Sequence, residues 1–386
     1  MTNQEIAGLR AKIDRIDREL LSSLGLRAEL ARKIGRHKQK SGLPVFDPAR
    51  EALILDSLCR DNQGPLPDSS LKLIMKTIIF SCRSVQERAR VSFLGPEGTF
   101  SHQAALECFG PEAEYEPLNS IKDVFRRVES GTDLFGLVPA ENSTEGGVGQ
   151  TMDLLTATGA KIRGEHLLPI RHALMAASKE PGSLKRIYSH PQALAQCREW
   201  LSRHVPGATL IETSSTAQAA RRAAGESGSG AIGSSLLAGL NRLEILAEDI
   251  QDIKTNLTRF LILGQTDQPP TGRDRTSLLV RARHVPGSLH RCLQPISEAG
   301  LNLTRIESRP ARGRPWEYVF FLDIQGHRSD EPVRRCLASL VSAAESVVVL
   351  GSYPRADHDP ASGEGLPERR IPAATGTHGP NLAMEG

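Results

Sequence analysis

The sequence predicts a multidomain chain: an all-helical N-terminal segment, a two-lobed α/β body and a small C-terminal βαββαβ sandwich. Three observations predict it. Apolar residues recur at three- and four-residue spacing through the first 90 positions. From Val91 onward, short apolar runs alternate with Gly, Pro, Ser and Asn clusters and with helical stretches. After residue 275 a compact strand, helix, two strands, helix, strand pattern begins. At 386 residues and 39% hydrophobic content, the chain is long enough for two or three separately cored domains.

In the helical segment, Ile6, Leu9, Ile13, Ile16 and Leu20, continued by Leu24, Leu30, Ala31 and Ile34, predict one helix running to about Lys40. At 1.5 Å per residue it spans roughly 55 Å, more than a compact domain of its own chain can cover. It must pack on a partner, and a homodimer or higher homo-oligomer is expected. Asp47-Pro48 opens a second helix to about Arg60, in the acceptor-then-proline order favoured at an N-terminus. A third covers about Ser69 to Arg88, which closes an all-helical unit over 1–90.

Residues 91–265 read as the α/β body. Its runs place polar loops at the carboxyl ends of strands, where open α/β sheets bind ligands, so a cleft between two lobes is expected. The segment HALMAAS (172–178) opens the second lobe. Residues 266–275 read as a linker. Residues 276–355 form the βαββαβ unit, a ferredoxin-like sandwich. From 356 to 386 the composition is Pro, Gly and charge without periodicity, which predicts a disordered tail.

Composition narrows the function classes. No apolar stretch approaches the roughly 20 residues that cross a bilayer, and the N-terminus has no signal-peptide core, so a cytoplasmic protein without a membrane partner is expected. The six cysteines (Cys59, Cys82, Cys108, Cys197, Cys292, Cys336) contain no C-x-x-C pair, which predicts reduced thiols and neither a zinc ribbon nor a disulfide framework. Residues 1–90 hold 17 Lys plus Arg against 11 Asp plus Glu, a net +6 that leaves −3 for the rest of a +3 chain. The basic end favours an anionic partner. Its aromatics are only Phe46 and Phe80 and it has no base-reading motif, so nucleic acid is set aside.

The first helix carries Arg10, Arg27 and Lys38. Arg27 and Lys38 are 11 residues apart, which leaves them within about 20° on one face, where they could flank a small anion. Arg10 lies 17 residues before Arg27, roughly 25 Å along the axis and on a different face. It cannot reach that anion from the same chain, so a site using all three is shared between crossing helices of two protomers. Taken singly, each cation reads as a solvated face. Arg50 and Glu51 in the second helix, and Cys82 and Gln86 four apart in the third, add polar groups from two further directions.

The spacing Leu9-Arg10, Leu26-Arg27, Lys38, Asp47-x-x-Arg50-Glu51 and Gln86 resembles the all-helical chorismate mutase family over nearly all of residues 1–90. The resemblance implies an intertwined helical dimer that rearranges chorismate to prephenate, a pericyclic reaction in which an ether C–O bond breaks. It further implies that Arg10 of the partner chain, Arg27 and Arg50 grip carboxylates. Lys38 and Gln86 would face the ether oxygen, and Asp47 and Glu51 the substrate hydroxyl region. Asp47 reads equally as a helix cap. Cys82 stands where a pocket Ser is expected, and a thiol is the weaker hydrogen-bond partner.

Six ordered segments, GPEGTFSH (95–102), PAENSTEGG (139–147), YSHPQALAQC (188–197), ETSSTAQAA (212–220), GAIGS (230–234) and NLTRF (256–260), resemble prephenate dehydratase. That reaction expels CO₂ and a ring hydroxyl together, and an acid must help the hydroxyl leave. The loops offer no acidic cluster, metal-ligand spacing or Ser-His-Asp order, so hydrogen-bond donors and orientation are expected to carry it, without metal or coenzyme. The resemblance implies that Thr258 acts on the departing hydroxyl. Glu141, Asn142, Ser143, Ser189, His190, Gln192, Ser215, Thr216, Asn256 and Arg259 would bind substrate. His190 reads equally as a loop residue satisfying backbone groups. Gly228-Ser-Gly230-Ala-Ile-Gly233 fits the dinucleotide fingerprint G-x-G-x-x-G, but it follows a helix and contains its own strand, so it is set aside. The loops at Gly95-Gly98 and Ser214-Ser215-Thr216 could take phosphate or carboxylate alike.

Pro286-Gly287-Ser288-Leu289 and Asn302 with Glu307-Ser308-Arg309-Pro310 resemble an ACT regulatory domain of the phenylalanine-binding kind. This implies an amino-acid effector, phenylalanine, held between two such domains and inhibiting the dehydratase. A domain that only dimerises is the alternative. For the whole chain the alternatives are a non-catalytic aromatic-metabolite sensor, or a dehydratase whose helical segment only dimerises.

Overall fold

A computed structural model describes residues 2–41, 45–178, 184–311 and 316–356. The tail expected to be disordered lies, from 357 on, outside the described residues. Helix α1 (Asn3–Lys40) is continuous over 38 residues. A capping box starts it: the Thr2 hydroxyl accepts from the Glu5 backbone and the Glu5 carboxylate from the Thr2 backbone. Its apolar ridge is uncovered, with Leu9, Ile13, Ile16 and Leu20 each about half exposed and Gly35 the one buried position of the helix. Asp47 caps α2 (Pro48–Arg60). Helix α3 (Asp68–Ser84) stops short of the expected Arg88, where the Gln86 and Glu87 amides both turn back to the Arg83 carbonyl.

The body follows as β1 (Arg90–Leu94), α4 (Phe100–Phe109), β2 (Glu114–Leu118), α5 (Ile121–Glu129), β3 (Phe135–Asn142), β4 (Gly146–Gly147), α6 (Gly149–Leu155) and β5 (Lys161–Pro169). Next come β6 (Ala173–Ala176), β7 (Arg186–Ser189), α7 (Pro191–Gln196), α8 (Arg198–His204), β8 (Thr209–Glu212), α9 (Thr216–Ala224), β9 (Ser229–Gly233), α10 (Leu236–Asn241) and β10 (Glu244–Ala247). The chain then returns through β11 (Leu257–Gly264). The last module is β12 (Asp274–Arg281), α11 (Ser288–Glu298), β13 (Leu303–Pro310), β14 (Tyr318–Gln325), α12 (Glu331–Ala343) and β15 (Ser346–Pro354).

The described residues form two compact units, one of 2–95, 104–168 and 257–356, the other of 96–103 and 169–256. In the first, a sheet of order β2-β1-β3-β11-β5 carries β4 on β3, and a second sheet has the order β13-β14-β12-β15. That order is the one a βαββαβ sandwich adopts when both helices cover one face, so the fold class expected from the sequence holds. Helices α11 and α12 cover one face through Cys292, Ile296, Val333, Cys336 and Leu340. The other face shares a core with the larger sheet, in which Leu279, Val319, Phe321 and Tyr353 meet Val138, Ile162 and Leu261.

In the second unit the order is β10-β6-β9-β7-β8, with β7 parallel to both β8 and β9. Their carboxyl ends therefore lie along one edge. Strand β9 occupies the G-x-G-x-x-G decoy and is buried throughout, so its glycines serve a sheet centre.

The shared core of the first unit depends on close approach at one glycine. A Cβ on Gly351 of β15 would stand 2.1 Å from the Ile162 carbonyl oxygen of β5, a backbone atom that cannot rotate away. Gly351→Ala is expected to destabilise this unit by about 3 kcal/mol through overpacking. Denaturant unfolding followed by fluorescence checks this, and wild-type stability of the variant would refute the close packing.

Candidate functional site

In the helical segment the structure brings together Lys38, Asp47, Glu51, Cys82 and Gln86. The Lys38 ammonium donates to the Val45 carbonyl at 3.3 Å. Asp47 Oδ1 accepts from the Arg50 backbone at 2.9 Å, so the carboxylate is a cap whatever else it does. Glu51 accepts from Arg83 Nη1 at 2.8 Å. Burial pushes the Glu51 carboxyl up, with Arg83 and Lys38 pulling against it and Asp47 adding to it. Gln86 reaches this group because Gly35 lets α1 approach it: a Cβ there would lie 2.7 Å from Gln86 Cβ. The Gln86 amide nitrogen donates to the Cys82 carbonyl at 3.3 Å, and its oxygen is buried without a partner among the described residues. Arg10, Arg27 and Arg50 form no ion pair among the described residues, and Arg10 and Arg50 are exposed. Along α1, Arg27 stands roughly 16 Å and Arg10 roughly 42 Å from Lys38 by the helical rise.

Arg83 is the residue the sequence reading missed. It is 5% exposed, donates to the Phe109 carbonyl at 2.7 Å and lies over the rings of Phe46, Phe80 and Phe109. An arginine in an amphipathic helix reads as surface. Phe80 of its own helix, with Phe46, Glu51 and the Cys108–Phe109 end of α4 from elsewhere in the chain, encloses it.

In the first unit, β11 runs antiparallel to β3 and pairs Thr258 with Asn142 and Arg259 with Glu141. The Asn142 amide nitrogen donates to Thr258 Oγ1 at 2.9 Å. Its oxygen accepts from the Thr144 backbone at 3.0 Å, from the Thr144 hydroxyl at 2.6 Å and from the Glu145 backbone at 3.2 Å, which fixes the amide orientation. Thr258 Oγ1 is thus an acceptor towards Asn142, and its hydrogen is left to point elsewhere. Ser143 Oγ accepts from the Leu257 backbone at 2.9 Å and pins the start of the strand.

The Arg259 guanidinium has partners other than a substrate. It is 7% exposed and donates to Glu165 at 2.7 Å, to Asp323 at 2.7 Å and to the Tyr353 hydroxyl at 2.9 Å. Burial opposes its charge, yet Tyr353, Asp323 and Glu165 together hold its pKa well above the usual value. Glu141 lies 3.2 Å from Arg305 and 3.7 Å from Arg259.

The second unit carries its residues along the carboxyl edge of β7, β8 and β9. The Ser189 hydroxyl is buried and donates to the Ile232 carbonyl at 2.7 Å. His190 caps α7, its Nδ1 accepting from the Gln192 backbone at 3.3 Å. Ser215 caps α9 by accepting from the Gln218 backbone at 3.1 Å, and Thr216 opens that helix. The Asn256 side chain is buried and its carbonyl accepts from Ile170 at 2.9 Å. The turn at Gly98, with φ of +83°, is held by Ser234, whose hydroxyl donates to the Gly98 carbonyl at 3.0 Å.

In the C-terminal module a cavity of about 460 Å³ is lined by Arg283, His284, Val285, Pro286, Ser288, Trp316, Tyr318 and Phe320, among others. Gly287 enters α11 in the left-handed region, φ +75°. Ser288 lines the cavity; of the other expected effector residues, Glu307 bonds Arg305 and Arg309 bonds Asp153 of α6 at 2.9 Å. Pro310 pairs with Tyr318 at the cavity end of β14, whereas the Asn302 carbonyl accepts from Gln325 at its other end. Eight residues of strand put those ends roughly 24 Å apart, so Asn302 cannot meet the cavity of its own module. Trp316 and Tyr318 were not singled out from sequence, because isolated aromatics carry no spacing signal.

The family described as prephenate dehydratase matches residues 91–268, chorismate mutase type II residues 9–87, and the ACT domain residues 276–342. A bifunctional chorismate mutase/prephenate dehydratase of Aquifex aeolicus (strain VF5) is 43% identical over 357 residues, 92% of this chain and 99% of that one. The crystal structure of prephenate dehydratase in complex with L-Phe from Arthrobacter aurescens has 36% identity and a TM-score of 0.64, covering 69% of this chain and 90% of that one. GqqA, described as a novel type of quorum quenching acylase, has 31% identity and a TM-score of 0.64, covering 69% of this chain and 98% of that one.

The buried pairing of Arg83 with Glu51 makes a stability prediction. Arg83→Met leaves a carboxylate without its cation and is expected to cost about 3 to 5 kcal/mol. Adding Glu51→Gln should return part of that loss. Equal losses in the single and double variants, read by denaturant unfolding, would dismiss the pair.

Proposed function

The chain belongs to the bifunctional chorismate mutase/prephenate dehydratase family, and from that premise we propose how its residues divide the work. The enzyme rearranges chorismate to prephenate, and converts prephenate to phenylpyruvate with loss of CO₂ and water. The first reaction needs no covalent catalyst. It needs cations on two carboxylates and donors at the ether oxygen, where negative charge grows. Lys38, Glu51 and Gln86 converge at one end of α1 and α3, and Lys38 and Gln86 serve the ether oxygen. Arg27 and Arg50 take carboxylates, and Arg10 comes from a second protomer whose α1 covers the exposed ridge. The half-exposed leucines and isoleucines of that ridge support the dimer.

The observation that carries the dehydratase reading is the Asn142–Thr258 hydrogen bond. A hydroxyl that accepts from a fixed amide keeps its own hydrogen for another acceptor. As the prephenate carboxylate departs as CO₂, its bonding electrons enter the ring and expel the hydroxyl, which takes a proton from solvent to leave as water while Thr258 donates a hydrogen bond to the leaving oxygen. Ser189, His190, Gln192, Ser215, Thr216 and Asn256 belong to substrate binding, the loop that opens α9 at Ser215 offering backbone N–H groups to a carboxylate. Phenylalanine occupies the cavity beside Ser288, Trp316 and Tyr318, completed by Asn302 of a second ACT module, and restrains the dehydratase.

Thr258→Ala is expected to lower dehydratase kcat by about a hundredfold or more while leaving mutase turnover intact, and Arg27→Ala to do the reverse. Separate assays with chorismate and with prephenate decide it; loss of both activities in either variant would contradict the division. Trp316→Ala should raise the phenylalanine concentration for half-inhibition by about tenfold. An unchanged inhibition curve would remove the effector from that cavity.

A further inference from the structure

The Asn142–Thr258 bond sits at the end of a strand pair that is interrupted immediately behind it. Glu141 pairs with Arg259, but the next residue, Phe260, pairs with Pro139, so Ala140 is an extra residue and the register shifts there. A bulge of this kind loosens the ladder locally and lets the strand end be re-aimed. The geometry of the last two pairs must come from something besides the ladder.

Side chains of the ACT module supply it. Successive strand residues face opposite ways, so Arg259 points away from Thr258, into Asp323 of β14 and Tyr353 of β15. Asp323 is 3% exposed and Tyr353 fully buried. Ser277 of β12 bonds both of them. On the partner strand, Glu141 is held 3.2 Å from Arg305 of β13. Arg305 in turn bonds Glu307, whose carboxylate packs on Gly147 of β4. Both residues that flank the Asn142–Thr258 bond are thus gripped by β13, β14 and β15, with Ser277 of β12 holding two of the partners from behind.

We infer that Arg259 and Glu141 are positioning residues through which the ACT sheet sets the geometry of the Asn142–Thr258 pair. The inference deepens the dehydratase reading and rests on Thr258 acting at the leaving hydroxyl. It places regulation in the side chains of one face of the ACT sheet, because any shift of β14 or β15 against β11 moves Arg259, and with it the adjacent Thr258.

The test uses the full chain with two conservative variants, Tyr353→Phe, which removes one hydroxyl, and Arg305→Gln, which removes one charge. Each is expected to lower dehydratase kcat about tenfold with KM for prephenate within about twofold, the pattern of a contact that matters only in the transition state. Chorismate turnover stays at the wild-type rate and reports that the fold is intact. Both variants also shift the phenylalanine half-inhibition concentration by about threefold or more. On top of Thr258→Ala, Tyr353→Phe adds no further loss, since the group it positions is gone. Unchanged kcat in both variants, a parallel fall of both activities, or a full additional loss on top of Thr258→Ala would each overturn the inference. Wild-type kcat in Thr258→Ala alone would instead remove the reading of Thr258, whatever the other variants do.

Discussion

A guanidinium cannot be buried without compensation, and the Arg259 side chain, closed in on all sides, imposes that requirement on the first unit. Its three donor directions are met by Glu165, Asp323 and Tyr353. Those partners are themselves held: Glu165 also takes Arg275 at 2.6 Å and the Ala356 backbone at 3.0 Å. The result joins β5 and β11 of the larger sheet to β12, β14 and β15 of the smaller one, within a core that already runs through both. A buried network of this kind rigidifies what it touches, and removing one charged partner strands the other. What it touches here is the start of β11, which carries the Thr258 hydroxyl.

The helical segment solves a similar problem on a smaller scale. Arg83 is buried by three aromatic rings, one carboxylate and two backbone carbonyls. The carboxylate is Glu51, part of the mutase group, and the carbonyls belong to Cys108 and Phe109 at the end of α4. The mutase end of α3 is therefore built against the dehydratase body, while the rest of α1 extends without cover from the other described residues. One end of the long helix is fixed by its own fold, and the apolar ridge of the remainder is exposed.

The same chemistry serves both proposed reactions. In both readings proposed above, aimed donors and fixed cations do the work. Such groups act only if they cannot relax toward the charge they meet, and that is why buried networks stand directly behind them. Glu51 is held by Arg83, and Arg259, the chain neighbour of Thr258, by Glu165, Asp323 and Tyr353.

Much of this was legible in sequence. The helical repeat of α1, the Asp47-Pro48 start of α2, the βαββαβ order and the misplaced G-x-G-x-x-G all follow from neighbours within a few residues, whose spacing and capping chemistry are local. The resemblance motifs placed Thr258 and Asn142 without showing that one donates to the other across 116 residues of chain. Tertiary structure alone decided the employment of Arg83, Arg259, Arg305 and Trp316. Arg259 meets partners 94 and 64 residues away, and no periodicity encodes such a meeting. Whether an arginine is a solvated cation or the centre of a buried network depends on which distant segments exclude water from it, and that is fixed only when the sheets close.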